Sequence, residues 1–407
     1  MRILLIIDCF LPSGKSSAKL GADLAHEFVR LKHQVTVLVP SDAVPGSVRS
    51  TVEDGVEVLR YRAGPIKNVP RVIRACNEML LSWVALWRTR RCLADRCYDL
   101  IVYYSPSIFF GPLVAFYKKK WKAPAYLILR DIFPDWAVDA GLLKKGLVYR
   151  VFKGFEQWQY RVADMIGVET GNSVGYFAGT VHQGKVEVLR NWTATAAPAV
   201  RPPAFRPHLG LDGKTVFFYG GNIGVAQDMD NIMRLAKRMR GRPDVHFLFV
   251  GAGSEVDRLR RMIRDEGIVN VTLLDPVDQD TYLTMLNEFD VGLISLDRRL
   301  KSYSTTGKLL GYLQCGLPVL ASVNAGNDLA ELLTGGGAGL ASLNGDDERL
   351  CQNALLLCDP ARRAAMGANS RKLLLDMFSV AAVAGQILQT SAGQCARSPG
   401  QAQALKG

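Results

Sequence analysis

A strand-then-helix alternation runs through this chain twice and breaks off once between the two passes, at residues 193–213, where Ala and Pro crowd the sequence and periodicity vanishes. A continuous apolar run bounded by turn residues reads as a strand buried on both faces, and a parallel sheet clad in helices is what hides such strands. In the first pass the runs are residues 2–8, Val35–Val39, Gly55–Tyr61, Asp99–Tyr104, Ala125–Leu129 and Met165–Val168. Helices are expected between them at Ala18–Leu31, Val69–Arg96, an apolar stretch through Tyr117, and Leu147–Val162. The second pass restarts at Thr215 and continues with Val245–Val250, Val271–Leu274, Val291–Ser295, Pro318–Ser322 and Ala338–Leu340. The expected fold class is α/β, with two Rossmann-like doubly wound parallel-sheet domains facing across a cleft at their carboxyl edges. The domains are residues 1–192 and 214–378, joined by the linker 193–213, with 379–407 a helix crossing back and a frayed tail from Ser391.

A chain of 407 residues suits two such cores better than one. The opening MRILLIIDCF has an apolar run cut by Asp8, too short for a signal-peptide core and right for a first strand. No apolar run approaches the ~18 residues of a membrane span, and the eight Cys lack a CxxC pair or His-rich spacing. A cytoplasmic protein without a metal site is expected. Charge is uneven: residues 1–195 hold 27 basic and 17 acidic residues, and residues 60–130 hold 14 and 3. That basic stretch is interleaved with Trp83, Leu86, Trp87, Ile108, Phe109, Phe110, Phe116 and Trp121. Basic residues beside apolar anchors suit an anionic membrane surface, so peripheral attachment is expected. Nucleic acid is not an expected partner, because no recognised module appears.

Three stretches carry candidate chemistry. TVFFYGGNIGVAQDMD, Thr215 to Asp230, is a buried strand, a glycine turn and a helix start that Asp228 would cap. Such a turn either makes a tight corner or presents N–H groups to a phosphate. Tyr303-Ser304-Thr305-Thr306-Gly307-Lys308 offers hydroxyls, backbone donors, a helix N-terminus and one cation, more than an ordinary cap needs, and a diphosphate fits there. Gly326-Asn327-Asp328 reads as an N-cap or as a second wall of the same pocket. Ser13-Gly14-Lys15-Ser16 fails as a P-loop, since Cys9 stands where the first glycine belongs and Pro12 removes an N–H. Gly14 is instead expected to let the backbone approach a ligand from the opposite wall. Gly251-Ala252-Gly253 lacks the third glycine of the dinucleotide fingerprint and is expected only to turn strand into helix.

With GGNIG after the first strand of the second domain, TGKLLGYLQCGLPVLAS and the Asn327-Asp328 step, the chain resembles the retaining glycosyltransferases of family four, which have the GT-B fold and use nucleotide sugars. The resemblance covers nearly the whole chain and is nearest to the N-acetyl-L-fucosamine transferases of bacterial O-antigen synthesis. Arg130-Asp131-Ile132-Phe133-Pro134-Asp135 matches that branch's Arg-Asp-x-x-Pro-acid motif, and Asn191-Trp192 its end-of-domain Asn-Trp. The sequence departs from the family pattern in places. The usual Glu pair falls on Tyr303 and Gly311, the usual Arg and Lys of the glycine turn on Asn222 and near Gln227, and the usual acceptor-domain His on Ser105-Pro106-Ser107.

The resemblance implies transfer of an N-acetylated deoxysugar from a UDP-sugar to an acceptor on a polyprenyl diphosphate, with retention and no cofactor or metal. Donor-side residues are then Gly221, Asn222, Gly224, Val277, Ser304, Thr305, Thr306, Lys308, Asn327 and Asp328, the base lying against Leu274–Val277. Lys308, with Arg298, Arg299 or Lys301, has to neutralise the diphosphate. Acceptor-side residues are Gly14, Arg130, Asp131 and Asn191, with Asp131 orienting the acceptor hydroxyl and Glu169 the alternative. A non-hydrolysing UDP-sugar epimerase shares this fold, and a silent scaffold protein would explain the missing Glu pair.

Overall fold

The computed structural model describes residues 1–13, 15–65, 69–139, 142–193, 195–196, 204–300 and 307–397. Contacts divide the chain into two compact units, Met1–Asn191 with Val380–Gly407, and Trp192–Ser379.

The first unit opens with β1 (Arg2–Ile6), α1 (Ser16–Arg30), β2 (Gln34–Ser41), β3 (Val48–Glu53), β4 (Val56–Arg62) and α2 (Arg71–Thr89). It continues with β5 (Leu100–Tyr104), α3 (Gly111–Trp121), β6 (Ala125–Leu129), α4 (Asp135–Asp139), α5 (Leu147–Val162), β7 (Met165–Val168), α6 (Gly171–Gly175) and β8 (Val186–Val188). The strands form one sheet in the order β3-β4-β2-β1-β5-β6-β7-β8, parallel except for β3 against β4. β1, β5 and β6 are Leu, Ile, Val and Tyr runs hidden on both faces, as central parallel strands must be. The sheet order reverses between β2 and β5 on either side of β1, which opens a crevice at their carboxyl ends.

The second unit holds α7 (Phe205–His208), β9 (Thr215–Gly220), α8 (Met229–Arg238), β10 (Val245–Val250), α9 (Val256–Asp265), β11 (Val271–Leu274) and α10 (Gln279–Leu286). β12 (Val291–Ser295), α11 (Gly307–Gln314), β13 (Val319–Val323), α12 (Asp328–Gly335), β14 (Gly339–Leu343), α13 (Asp347–Leu356) and α14 (Pro360–Leu373) complete it. Its sheet is all parallel, in the order β11-β10-β9-β12-β13-β14, with the reversal at β9. One core lies on each face, one around Phe218 and Tyr312, the other around Phe217, Met233 and Leu259. α15 (Val380–Arg397) then packs on α1 and β6 of the first unit.

Four expectations are corrected. The helix expected over 69–96 spans only Arg71–Thr89; Pro70 sets its start by keeping the residue before it out of the α region, and residues 90–95 continue as turns. β3 was not expected; it is a half-exposed, largely polar strand at the sheet edge. Asp228 precedes α8 but does not cap it, and its carboxylate instead accepts from Asn344 Nδ2 at 2.9 Å. Ser391 begins no frayed tail, since it is buried and α15 continues past it to Arg397.

Candidate functional site

At the carboxyl edge of the second sheet, β9 ends at Gly220–Gly221, β10 runs into Gly251–Ala252, and β11 leads to Pro276–Val277. With Thr193, Asn222, Tyr282, Gln314 and the first turns of α11 they enclose about 510 Å³. Lys308 lies in the first turn of α11, where the helix leaves N–H groups without intrahelical partners and its dipole favours an anion. Its Nζ donates to Tyr219 Oη at 2.9 Å and sits 4.3 Å from the centre of that ring. Tyr219 Oη donates in turn to Asn222 O at 2.5 Å. No carboxylate pairs with Lys308 among the described residues, and burial pushes its ammonium down to about 8. The aromatic face holds a cation that has lost much of its water. An anion entering the pocket would be its first full countercharge.

A second cavity, about 160 Å³, lies in the first unit at the reversal between β1 and β5. β1 continues straight into Asp8 and β6 into Asp131, and these two carboxylates line it with Arg74, Glu78, Phe109, Phe133 and Trp136. Asp8 Oδ1 is buried without a hydrogen-bond partner among the described residues, while Oδ2 stands 3.8 Å from Lys15 Nζ. Desolvation raises the Asp131 carboxyl, Arg130 opposing it, even though part of the side chain meets solvent. In such a cavity the carboxylates can accept from sugar hydroxyls while the aromatic faces stack on sugar rings. Next to this cavity, at the end of β7, Glu169 accepts from Asn191 Nδ2 at 2.9 Å. Burial raises its carboxyl too, against the pull of Arg130 and the Asn191 bond.

Residues 21–192 match the family described as Glycosyl transferase 4-like domain, and residues 213–359 the family described as Glycosyl transferases group 1. The chain belongs to the GT-B glycosyltransferases of family four. A "Probable glycosyltransferase WbjE" of Pseudomonas aeruginosa is 23% identical over 218 residues, 52% of this chain and 54% of that protein. A GDP-mannose-dependent monoacylated α-(1-6)-phosphatidylinositol monomannoside mannosyltransferase of Corynebacterium glutamicum is 31% identical over 174 residues, 41% of this chain and 45% of that one. The matched stretches therefore span about half the length of these curated relatives. Among solved structures, HepE of Anabaena in complex with UDP and glucose has the same fold, with a TM-score of 0.61 and 17% identity over 97% of this chain and 100% of that one.

In the second unit the pocket gathers Gly221, Asn222, Val277 and Lys308 of the expected donor residues. Ser304, Thr305, Thr306, Lys301 and Gly14 lie outside the described residues. The expectation that the Gly221–Gly224 backbone offers a row of free N–H groups is corrected. Gly220 N donates to Tyr312 Oη, Gly221 N to Val250 O, Ile223 N to Ala252 O, and Gly224 N to Gln227 Oε1. Val250 O and Ala252 O are within reach because the Gly251–Gly253 loop presses onto the turn. A Cβ at Gly251 would stand 1.8 Å from Gly221 O, and one at Gly253 2.1 Å from Ile223 O. Those two glycines thus do more than turn strand into helix. Gly224, Asn327 and Asp328 do not line the pocket. Asn327 caps α12 through Leu329 N and donates to Asn324 Oδ1, so its buried amide is already engaged at both ends. Arg299 is drawn onto Asp297 by a forked ion pair and is not directed to a diphosphate.

On the acceptor side Arg130, Asp131, Glu169 and Asn191 come together at adjacent strand ends. Arg130 donates to Leu189 O and Arg190 O, a bracing role, and leaves Asp131 as the motif's cavity-lining acid, with Phe133 beside it. Asp135, the motif's last acid, is bound by Lys153, Tyr149 and Tyr176. Sequence reasoning missed Asp8, Tyr219, Tyr282 and Gln314. For Asp8 the signal was present, an acid closing the first parallel strand, where α/β sheets bind ligands. Among the described residues no group of three or more His, Cys, Asp or Glu is placed to hold a metal ion.

Proposed function

We propose that this chain moves a glycosyl unit from a UDP-sugar to a sugar carried on a polyprenyl diphosphate, with retention and without a metal. N-acetyl-L-fucosamine in O-antigen synthesis is the preferred donor and setting. The observation that carries the reading is Lys308, an ammonium with no carboxylate partner among the described residues, held on Tyr219 at the mouth of a helix N-terminus inside a pocket of nucleotide size. UDP in the HepE structure favours a uridine donor, and the lipid named for the Corynebacterium relative's substrate favours an acceptor on a lipid. The resemblance of the Arg130–Asp135 motif supports the fucosamine branch.

In this reading the bond from the sugar's anomeric carbon to the β-phosphate breaks while one forms to the acceptor oxygen on the same face, and the departing phosphate takes the acceptor's proton. No protein nucleophile is required. The protein's contribution is to stabilise charge growing on the diphosphate, which falls to Lys308 and the α11 N-terminus. Asp131, with Asp8 across the cavity, orients the acceptor, and Glu169 backs it.

The test is a panel of UDP- and GDP-sugars with a lipid-linked acceptor, following nucleotide release and glycolipid mass together. A glycolipid gain of one sugar mass with UDP release is expected. Donor conversion without acceptor would point to an epimerase, and no nucleotide binding to a scaffold; either result sinks the proposal. Lys308→Ala should lower donor affinity and turnover together, roughly ten- to hundredfold, as loss of a charged hydrogen-bond donor does. Near-normal activity in that variant would remove Lys308 from the phosphate site.

A further inference from the structure

Four of the six tryptophans in this chain are exposed, and all four stand on helices of the first unit, Trp83 at 45% and Trp87 at 60% on α2, Trp136 at 46% on α4 and Trp158 at 39% on α5. Ring contacts link three of them, Trp83, Trp158 and Trp136, into one seam, and Trp87 lies one turn beyond Trp83 on α2. Trp83 meets Phe155 at 6.1 Å and Phe155 stacks on Trp158 at 6.5 Å. Phe155 also reaches Phe109, then Phe152, Phe133 and finally Trp136 on the cavity wall. Exposed Leu147 and Val151 extend the seam along α5 in register with Phe155 and Trp158, and exposed Leu80 extends it along α2. Helical spacing puts apolar residues on an outward face here, after α2 and α5 have each already buried another face.

The face also carries charge of one sign. Arg88 lies 4.9 Å over the Trp87 ring, Arg90 and Arg91 follow it, and Lys144, Lys145 and Arg150 are exposed at the start of α5. The nearby acids are held in ion pairs, Glu78 by Arg74 at 2.9 Å, and Asp135 and Glu156 by a shared Lys153 at 2.7 and 2.5 Å, Glu156 being buried away from the face. Ile108, Phe109 and Phe110, expected from sequence to be surface anchors, are buried, and α5 supplies the outward apolar residues instead.

We infer that this α2–α5 seam inserts into the headgroup region of an anionic phospholipid bilayer. Tryptophan, aliphatic side chains and basic residues that have no carboxylate partner among the described residues, all on one face, match an interface that is apolar below and negatively charged above. Among the described residues no helix is long and apolar enough to cross a membrane, so the contact is one of shallow insertion. Trp136 belongs both to the seam and to the cavity wall, so a lipid-linked acceptor would pass from the bilayer to Asp131 along protein. That last step alone rests on the acceptor reading above.

The experiment uses the full chain, without nucleotide, and vesicles of phosphatidylcholine with or without phosphatidylglycerol. The wild type should sediment with the phosphatidylglycerol vesicles, and lipids brominated in their acyl chains should quench its tryptophan fluorescence. The double substitution Leu147→Ser, Val151→Ser removes no charge and no aromatic ring, and should weaken vesicle binding roughly tenfold or more through lost apolar burial. Lys144→Glu, Lys145→Glu should weaken it on phosphatidylglycerol vesicles only. Unquenched fluorescence, unchanged binding of the Leu147, Val151 variant, or a lipid-free dimer that this variant dissociates would overturn the inference. UDP affinity, read by calorimetry on the same variants, should stay at the wild-type value. Lost glycosyl transfer with intact vesicle binding would sink the proposed function and leave the face standing.

Discussion

Lys308 keeps its charge in surroundings that disfavour it, and the consequence is a pH dependence of definite sign. Its pKa, lowered to about 8 by burial, should rise again when a diphosphate supplies the missing countercharge. UDP binding should therefore take up protons near pH 8, and affinity should fall by up to about tenfold per pH unit above that value. Calorimetry in buffers of different ionisation heat checks this, and Lys308→Met should flatten the profile. In the free protein the sign for stability is opposite: burying the charged form costs stability fully below pH 8, and the cost fades as pH rises toward the ordinary lysine range. A neighbouring test is Gly251→Ala, whose methyl group meets Gly221 O at 1.8 Å. The two loops must part, costing about 1–3 kcal/mol and weakening UDP binding, as urea titration and calorimetry would show. Lys308, Gly221, Asn222 and Val277 were legible as one site because their strand and helix-start contexts are local. The engagement of the glycine turn's N–H groups was not, since its acceptors, Val250 O and Ala252 O, lie about thirty residues on and arrive only with the sheet.

Strands built on a mainly apolar run were readable nearly to the residue: β9, β10, β11 and β12 start where the sequence places them. β3 and β8 were invisible for the converse reason. One is a half-exposed polar edge, the other three residues long, and neither has a run to distinguish it from loop. Among the apolar strands β10 holds one exception, His246, buried in its second position with Nε2 2.9 Å from Thr272 Oγ1. Burial, with Lys214 adding to it, lowers this imidazole to about 4. Because the folded value lies below the unfolded one, the unfolded chain binds the extra proton between roughly pH 6.5 and 4, and stability is lost as pH falls through that window. The loss should approach roughly 3 kcal/mol at its lower end. Urea midpoints at pH 7 and 4.5 should separate in the wild type and draw together in His246→Gln. An unchanged gap would show that other groups carry the acid sensitivity.

At the scale of the molecule, the chain leaves the first unit at Asn191, builds the second, and returns at Val380. The first unit is thus discontinuous in sequence, and its last helix is its own structural part rather than an appendage. Val383, Ala384, Ile387 and Ser391 of α15 are buried. Gln386 Nε2 donates to Val188 O at 2.8 Å, and Thr390 Oγ1 donates to the Glu187 carboxylate. Val383 and Ile387 each contribute about 1.5–3 kcal/mol of apolar burial. A chain ended after Ser379 should therefore lose stability in the first unit and keep the second, whose sheet and pocket lie wholly within Trp192–Ser379. Differential scanning calorimetry of the truncated protein should show one transition lowered or absent and another that UDP still raises. Loss of UDP stabilisation along with the helix would mean that the nucleotide pocket depends on the first unit for its fold, and the division of labour between the units would have to be redrawn.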